Sequence, residues 1–295
     1  MAAAPRRLAV PGWPVAFRGS AAVAARLVTW GRLQGPGYLR LFPDIYIAAT
    51  EEPPKLGLRT RGAYRLVEGR GVLSGYSAAE ILGASCGPKD APAEVTVPGG
   101  GQREHPGLLV HRDRIAPDEI ERLGDLRVTT PLRTAYDLAR RHDLVEGVVA
   151  VDALARKCEF TPDTLLHLAA RYPRARNQRR VADVLAHANR SSGSPMESRL
   201  RMLIVLAGLP RPVVQHAVQD ERARRAVWLD LAYPEHMIGI EYEGEVHAST
   251  ERVLRDVGGT RGWSTRTGAS TATRSTRSIR SSSGSWTRWV GRWSA

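Results

Sequence analysis

The clearest periodic pattern in the chain is a pair of alternating apolar and polar runs, Val227–Tyr233 and Ile238–Tyr242, joined by the short segment Pro234–Met237. Successive strand side chains point to opposite faces of a sheet, so a period of two is typical of a half-buried hairpin. Pairing the two runs across the short loop predicts that Asp230 lies directly opposite Glu241. Two carboxylates would then stand side by side on one face of the hairpin.

Helical spacing of apolar residues predicts helices upstream of this hairpin. Arg18–Leu33 has helical spacing and Leu39–Ala49 ends like a strand, which is compatible with a small winged-helix-like module over residues 1–60. A later helix is expected to begin after Ser194, a residue type that caps helices, with Pro195 at the first helical position.

Residues 61–189 predict a mixed α/β region. AEVTVP and GLLVHR have the composition of strands, and VTTPLRTAYDLAR indicates a helix capped by Thr130. The small polar residues 190–194 predict a linker before a C-terminal domain at 195–256. A length of 295 residues is enough for two domains. The expected fold class is therefore α+β or α/β, with a helix–strand N-terminal module.

The chain is strongly basic, with a formal net charge of +13, and only Lys55, Lys89 and Lys157 of its 43 basic residues are lysine. Arginine pairs well with phosphate, so this charge favours a polyanionic partner, although a GC-rich genome produces the same bias. The most basic stretch is RYPRARNQRR, for which an ordinary solvated face is the alternative. Its candidate nucleic-acid-binding residues are Arg174, Arg176, Arg179 and Arg180.

The two cysteines and the hydropathy of the chain bear on its location. Cys86 and Cys158 lack the spacing of a zinc site or a disulfide framework, which indicates reduced thiols in a cytoplasmic protein. No apolar run approaches the roughly 20 residues that a membrane span needs, and prolines interrupt the apolar N-terminus. We expect neither a signal peptide nor a membrane partner.

A family resemblance covers roughly Leu39 to Asn189. The ordered segments VLSGYSAAEILG, EVTVP, LLVHR, VTTPLRTAYDLAR and VVAVDALAR resemble actinobacterial proteins related to abortive-infection antitoxins, called AbiEi-like. The resemblance implies a DNA-binding or regulatory front half, as in an antitoxin of a type IV toxin–antitoxin system.

The acids of the hairpin raise a separate chemical question. Like charges placed directly opposite each other destabilise a sheet by about 0.2–1 kcal/mol, and Glu243 adds a third acid to the same face. A shared Mg²⁺ removes this cost, since that ion is held by one or two carboxylates together with water and phosphate oxygens. The alternative is a solvated face with ordinary surface acids; Trp228 on the same face favours the metal site.

A second resemblance covers about Ser194 to Asp256. The segments SPMESRLR, DLAYPE and IEYEG, followed by His247, resemble domain of unknown function 559, which is similar to very-short-patch repair (Vsr-like) nucleases of the PD-(D/E)xK superfamily. The resemblance implies a restriction-endonuclease-like α/β domain with a catalytic set and a metal. The catalytic set is Glu197, Asp230, Glu241, Glu243 and His247, with Asp230 and Glu241 as ligands of Mg²⁺ or Mn²⁺.

In this interpretation the metal polarises the scissile phosphate, and His247 orients water or protonates the leaving oxygen. Two departures put catalysis in doubt: Glu243 replaces the superfamily's lysine, and EYEG stands where the family usually has EYDG. Glu197 alone has a simpler explanation, because a carboxylate in the first turn of a helix is favoured by the helix dipole.

The tail, residues 257–295, has no lysine and no acid but seven arginines, and it predicts a disordered, low-complexity segment that leaves the preceding domain incomplete. A coding string for DADWRVYRYTKYE, which resembles a strand of the relatives, yields Thr265–Thr276 when it is read one base later. This match predicts a frameshift near residues 257–260 that removes the last core strand and leaves one sheet edge bare.

The leading functional hypothesis is a metal-dependent, endonuclease-like protein that hydrolyses nucleic-acid phosphodiesters, with DNA favoured over RNA and activity threatened by the lost strand. The alternative is a DNA-binding transcriptional regulator or antitoxin without catalysis. A third is a gene product that has lost its function.

Overall fold

The computed structural model describes residues 15–220, 225–242, 265–270 and 287–293. Helices and three separate sheets make up the described chain, which confirms the α+β class. The chain divides into two compact units, Met1–Val184 and Leu185–Ala295. The boundary precedes the linker expected at 190–194, because the side chain of Arg211 donates a hydrogen bond to the carbonyl of Ala186 and thereby holds it to the second unit.

The first unit begins with a three-stranded antiparallel sheet beside two short helices. The elements are β1 (Phe17–Arg18), α1 (Gly19–Ala24), α2 (Trp30–Leu33), β2 (Tyr38–Phe42) and β3 (Ile45–Ala48), with β3 central in the sheet. The single helix expected over Arg18–Leu33 is wrong. Arg26 has φ +57°, a left-handed conformation that ends a helix, and the side chains of Leu27 and Trp30 are exposed.

A mixed five-stranded sheet forms the core of the same unit. Its elements are α3 (Leu56–Val67), β4 (Val72–Leu73), α4 (Gly75–Ile81), β5 (Ala93–Val97), β6 (Leu108–Arg112), β7 (Ile120–Leu123) and β8 (Leu126–Thr129). The strand order is β6-β5-β4-β8-β7. The two strands expected from AEVTVP and GLLVHR are present and pair in parallel. Every residue of β5 is buried, so this strand lies at the centre of the core.

Four helices follow the sheet: α5 (Pro131–Arg141), α6 (Leu144–Lys157), α7 (Leu165–Arg171) and α8 (Arg179–Leu185). The expected cap of α5 is confirmed, because the Thr130 side chain accepts a hydrogen bond from the backbone of Arg133. In the described part of the chain, no helix is long and apolar enough to cross a membrane. Cys86 and Cys158 are both free thiols.

The second unit contains helix α9 and a five-stranded sheet. The elements are α9 (Pro195–Leu206), β9 (Val213–Asp220), β10 (Arg225–Tyr233), β11 (Ile238–Tyr242), β12 (Thr265–Ser270) and β13 (Thr287–Trp293), with the strand order β12-β13-β11-β10-β9. The hairpin register is as expected, since Tyr233 pairs with Ile238. Ser194 caps α9, also as expected.

The tail differs from the sequence-based expectation. Strand β13 pairs in parallel with β11, and β12 pairs with β13, so the prediction of disorder is wrong for these two segments. The edge of β11 is therefore paired and not bare. Threonine, valine and tryptophan in these segments have high strand propensity. The backbone groups along the free edge of β11 can form hydrogen bonds with β13.

A buried ion network ties α5 to the loop that follows β6. Arg133 is 1% exposed, and its guanidinium donates to Asp113, Glu119 and Asp137 at 2.7, 2.6 and 2.9 Å. Asp137 is fully buried and also accepts from Arg140. Burial alone would raise the pKa of Asp137, but Arg141, Arg133 and Arg140 together hold it below its usual value.

We expect Asp137→Ala to lower the free energy of unfolding by about 3–5 kcal/mol, because it leaves buried guanidinium groups without their shared carboxylate. The matched control is Asp125→Ala, which removes an exposed partner of Arg65 and should cost about 1 kcal/mol or less. Urea denaturation of both variants measures the difference. Equal losses in the two variants would contradict the structural role given to Asp137.

Candidate functional site

The start of α9 places Glu197 within a local hydrogen-bond network. The Ser194 side chain accepts from the backbone N–H of Glu197 at 3.2 Å, and the Glu197 carboxylate accepts from the backbone N–H of Gly193 at 2.7 Å. This exchange is a variant of the capping box, in which serine and glutamate satisfy backbone donors that the first turn leaves free. Glu197 is 8% exposed. Its position is therefore fixed by the backbone around it.

Gln215 on β9 extends this network toward the sheet. Its amide nitrogen donates to the Glu197 carboxylate at 2.9 Å. The backbone of Gln215 has φ +52°, which is rare for a residue with a side chain and costs roughly 1–2 kcal/mol. Strain of this kind is often found at functional sites. The sequence analysis did not predict a role for Gln215. The only pattern that indicates one is a polar residue directly after two valines, Val213 and Val214.

Asp230 and Glu241 lie on neighbouring strands at the centre of the same sheet. Leu231 pairs with Ile240, and continuing this register by one position sets Asp230 opposite Glu241. The Asp230 carboxylate accepts from the backbone N–H of Tyr242 at 2.8 Å. Leu229 pairs with His216 and Leu231 with Val214 on the other side, so Asp230 also lies opposite Gln215.

Four polar residues of the second unit thus lie on α9 and on the adjacent strands β9, β10 and β11. Glu241 is 9% exposed, and α9 packs against both β10 and β11. Trp228, in contrast, is 60% exposed, so its presence on this face gives no support to a metal site over a solvated face. We call Glu197, Gln215, Asp230 and Glu241 the acidic row.

The donor set of the acidic row fits a hard cation. Asp230 and Glu241 are neighbouring carboxylates, and oxygen ligands of this kind suit Mg²⁺ or Mn²⁺, which complete their shells with water and phosphate oxygens. Within the described ranges, no group of three or more His, Cys, Asp or Glu side chains is placed to hold a metal. The other two candidates, Glu243 and His247, lie outside the described residues.

The candidate nucleic-acid-binding arginines belong to the first unit. Arg174 and Arg176 follow α7 and line a cavity, while Arg179 and Arg180 are exposed in the first turn of α8. The Arg180 guanidinium donates to the carbonyl of His142 at 3.2 Å. The structure therefore separates these arginines into two pairs in different surroundings.

Comparison with known proteins gives distant relatives. No family model matches the chain. The uncharacterized proteins MT2308 and Rv2248 of two Mycobacterium tuberculosis strains are each 27% identical to it over 233 residues, which cover 76% of this chain and 81% of theirs. Among solved structures, the RV2827C protein of M. tuberculosis matches 72% of this chain and 86% of its own, with 17% identity and a TM-score of 0.40.

The strained backbone of Gln215 gives a direct prediction. Gln215→Gly and Gln215→Ala both remove the hydrogen bond to Glu197, but only glycine adopts φ +52° without a steric penalty. The glycine variant should therefore be more stable than the alanine variant by about 1 kcal/mol. The adjacent His216 has ordinary strand geometry and serves as the control, because there the order should reverse. Thermal or urea unfolding of the four variants measures both differences.

Proposed function

We propose that the Leu185–Ala295 unit hydrolyses phosphodiester bonds of nucleic acid, with DNA the favoured substrate, as a metal-dependent endonuclease in the cytoplasm. The observation that carries this proposal is the strand register that sets Asp230 beside Glu241 while α9 packs against both strands. Neighbouring carboxylates at the centre of a sheet are unfavourable alone, and a shared cation explains why the chain keeps them together.

The residues of the acidic row take different parts in this reaction. Asp230 and Glu241 hold the Mg²⁺ or Mn²⁺ ion. When bound, that ion supplies Lewis-acid polarisation of the scissile phosphate and lowers the pKa of a water molecule. Glu197 is fixed by Gly193 and Gln215, so it positions the polar groups around the two ligands and is not itself required as a ligand.

The bond changes are those of phosphodiester hydrolysis. A water molecule loses a proton as its oxygen bonds to phosphorus, the bond between phosphorus and one ester oxygen breaks, and that leaving oxygen gains a proton. From the sequence we assign the orientation of the water or the donation of this proton to His247, and a further catalytic role to Glu243.

Because the origin of the tail, residues 257–295, affects the sheet of this unit, both the present chain and a frame-restored chain should be tested. Its origin in a shifted reading frame stays a prediction, which sequencing of the gene addresses directly. An unbroken second frame beneath residues 257–295 supports a frameshift. A frame-restored protein would carry the strand expected from the relatives in place of this tail.

Plasmid nicking in Mg²⁺ or Mn²⁺ tests the proposal. We expect cleavage by the full chain or by its frame-restored form, and none in EDTA. Asp230→Ala and Glu241→Gln should each lower the cleavage rate about 100-fold or more, because each removes a metal ligand. The matched control is Glu235→Gln, which removes an exposed acid from the turn of the same hairpin and should leave the rate unchanged.

Three results would contradict the assignment. The first is an equal loss of activity in Glu235→Gln, and the second is full activity in Asp230→Ala. The third is no nicking by either form when circular dichroism shows both to be folded, which would favour a protein that binds nucleic acid without cutting it.

A second candidate function, a DNA-binding regulator or antitoxin without catalysis, is favoured by the N-terminal elements. There, α1 and α2 precede an antiparallel hairpin whose second strand, β3, also pairs with β1. Two helices followed by such a hairpin are compatible with a winged-helix module, in which a helix enters the major groove and the hairpin contacts the backbone. Arg32 on α2 and Arg40 on β2 are exposed and suited to phosphate.

Binding of duplex DNA at several salt concentrations tests this second function. Arg32→Ala and Arg40→Ala should each weaken binding and reduce the slope of log K against log salt by about 0.9, because each removes one phosphate contact. Arg122→Ala on β7 removes an exposed arginine from another sheet and is the control. The same slope in all four proteins would argue against a role for α2 and β2.

A further inference from the structure

A cavity of about 950 Å³ lies in the first unit, and none of the residues of the acidic row belongs to its lining. It is bounded by the end of β6, by the last turn of α5, and by residues 171–177, which comprise the last residue of α7 and the loop after it. The Arg140 guanidinium donates to the carbonyl of Arg176 at 3.5 Å, which ties the loop to the helix. The volume is in the range of sites that enclose a ligand of nucleotide size, roughly 300–1,000 Å³.

Positive charge dominates the lining of this cavity. Its charged residues are six arginines and two acids: Arg112, Arg140, Arg141, Arg171, Arg174, Arg176, Glu94 and Asp113. Both acids are already engaged within the first unit, Glu94 with His111 and Asp113 with Arg133. Arg174 and Arg176, in contrast, make no ion pair with any residue that the structure describes. The cavity therefore has a surplus of guanidinium donors.

Arg141 at the end of α5 carries the most specific signal. Its Nη2 lies 3.3 Å from Asp137, whereas its Nη1 is buried and has no hydrogen-bond partner among the described residues. Burial lowers the pKa of this guanidinium, which means that its surroundings disfavour its charge. A buried donor without an acceptor costs about 1–3 kcal/mol, and more for a charged group. Arg141 also lines the cavity, so a small rotation of its guanidinium would bring Nη1 within reach of an oxyanion bound there.

The remaining lining combines aromatic and apolar side chains with His111, His142 and Asn177. The ring centroid of Tyr172 is 5.1 Å from the guanidinium of Arg133 and 5.7 Å from that of Arg171. Its hydroxyl donates to Glu119 at 2.6 Å, which fixes the ring. Burial, the Glu119 hydrogen bond and the Glu119 charge raise the pKa of Tyr172 to about 12, so the phenol stays neutral. Leu109 and Pro173 complete a surface on which a planar base can stack.

We propose that this cavity binds the phosphate of a nucleotide, with Arg141, Arg174 and Arg176 as phosphate donors and Tyr172 beside the base. Arginine forks match phosphate oxygens in geometry and in charge. Two sources share this chemistry, a free nucleoside triphosphate and the 5′-phosphorylated end of a nucleic-acid strand. The proposal goes beyond the hydrolytic function, because it concerns residues of the first unit and requires no cleavage.

Calorimetric titration of the full chain in EDTA tests the cavity. EDTA removes the divalent metal that the proposed cleavage requires, but binding in the cavity requires no metal. A negative binding result is therefore distinguishable from a failure of the nuclease assignment. The probes are ATP, inorganic triphosphate, adenosine, and a short oligonucleotide with and without a 5′-phosphate. We expect ATP to bind more tightly than triphosphate, and adenosine to give no measurable binding. Tighter binding of the phosphorylated oligonucleotide than of ATP would support the cavity and identify a strand end as its ligand.

Matched arginine variants locate the binding. Arg174→Gln and Arg176→Gln should each weaken ATP binding about ten-fold, since each removes a charge-assisted hydrogen bond. Arg122→Gln removes the same charge from an exposed position on β7, outside the cavity lining, and it should retain the affinity. Arg141→Gln should weaken binding at least as much, with folding checked by circular dichroism because Arg141 also contacts Asp137.

Two outcomes would overturn the proposal. One is no detectable binding of any phosphorylated probe by the folded wild-type chain. The other is a loss of affinity in Arg122→Gln equal to that in Arg174→Gln and Arg176→Gln, which would indicate only non-specific attraction to a basic surface.

Discussion

The buried guanidinium of Arg133 is the constraint on which the first unit depends. Its three carboxylate partners come from the loop after β6, from the 3₁₀ turn before β7 and from α5 itself. A charge that is removed from water requires close partners of opposite charge. If any of these three segments moved, a buried charge would lose its partner or become exposed to water. The same network fixes the end of α5, and with it the two arginines, Arg140 and Arg141, that face the cavity.

In the second unit the corresponding constraint is the register of the hairpin. Gly239 on β11 lies against Leu229 on β10, where an added Cβ would come within 2.7 Å of a Leu229 methyl carbon. A slip by one residue would move every side chain of one strand to the other face. Apolar packing therefore decides whether Asp230 and Glu241 meet, although neither acid takes part in that packing.

Local features were the most predictable from the sequence. The caps at Thr130 and Ser194 and the pairing of Tyr233 with Ile238 each depend on a few adjacent residues whose chemistry is specific. The break at Arg26 was missed, because an apolar period does not report a single left-handed residue. Gln215 was missed for a related reason: its importance comes from Glu197, which is remote in sequence. The parallel pairing of β13 with β11 likewise depends on a distant strand edge.

Glu197 has a consequence for how related chains should be compared. Its carboxylate accepts a hydrogen bond from the N–H of Gly193 at the start of α9. Glu197 therefore stabilises the helix whether or not the protein has any catalytic activity. Selection for folding alone would retain a glutamate there, even in lineages where the reaction has been lost. Retention of Glu197 across relatives is therefore poor evidence of activity. Joint retention or joint loss of Asp230 and Glu241 is the more informative evolutionary record.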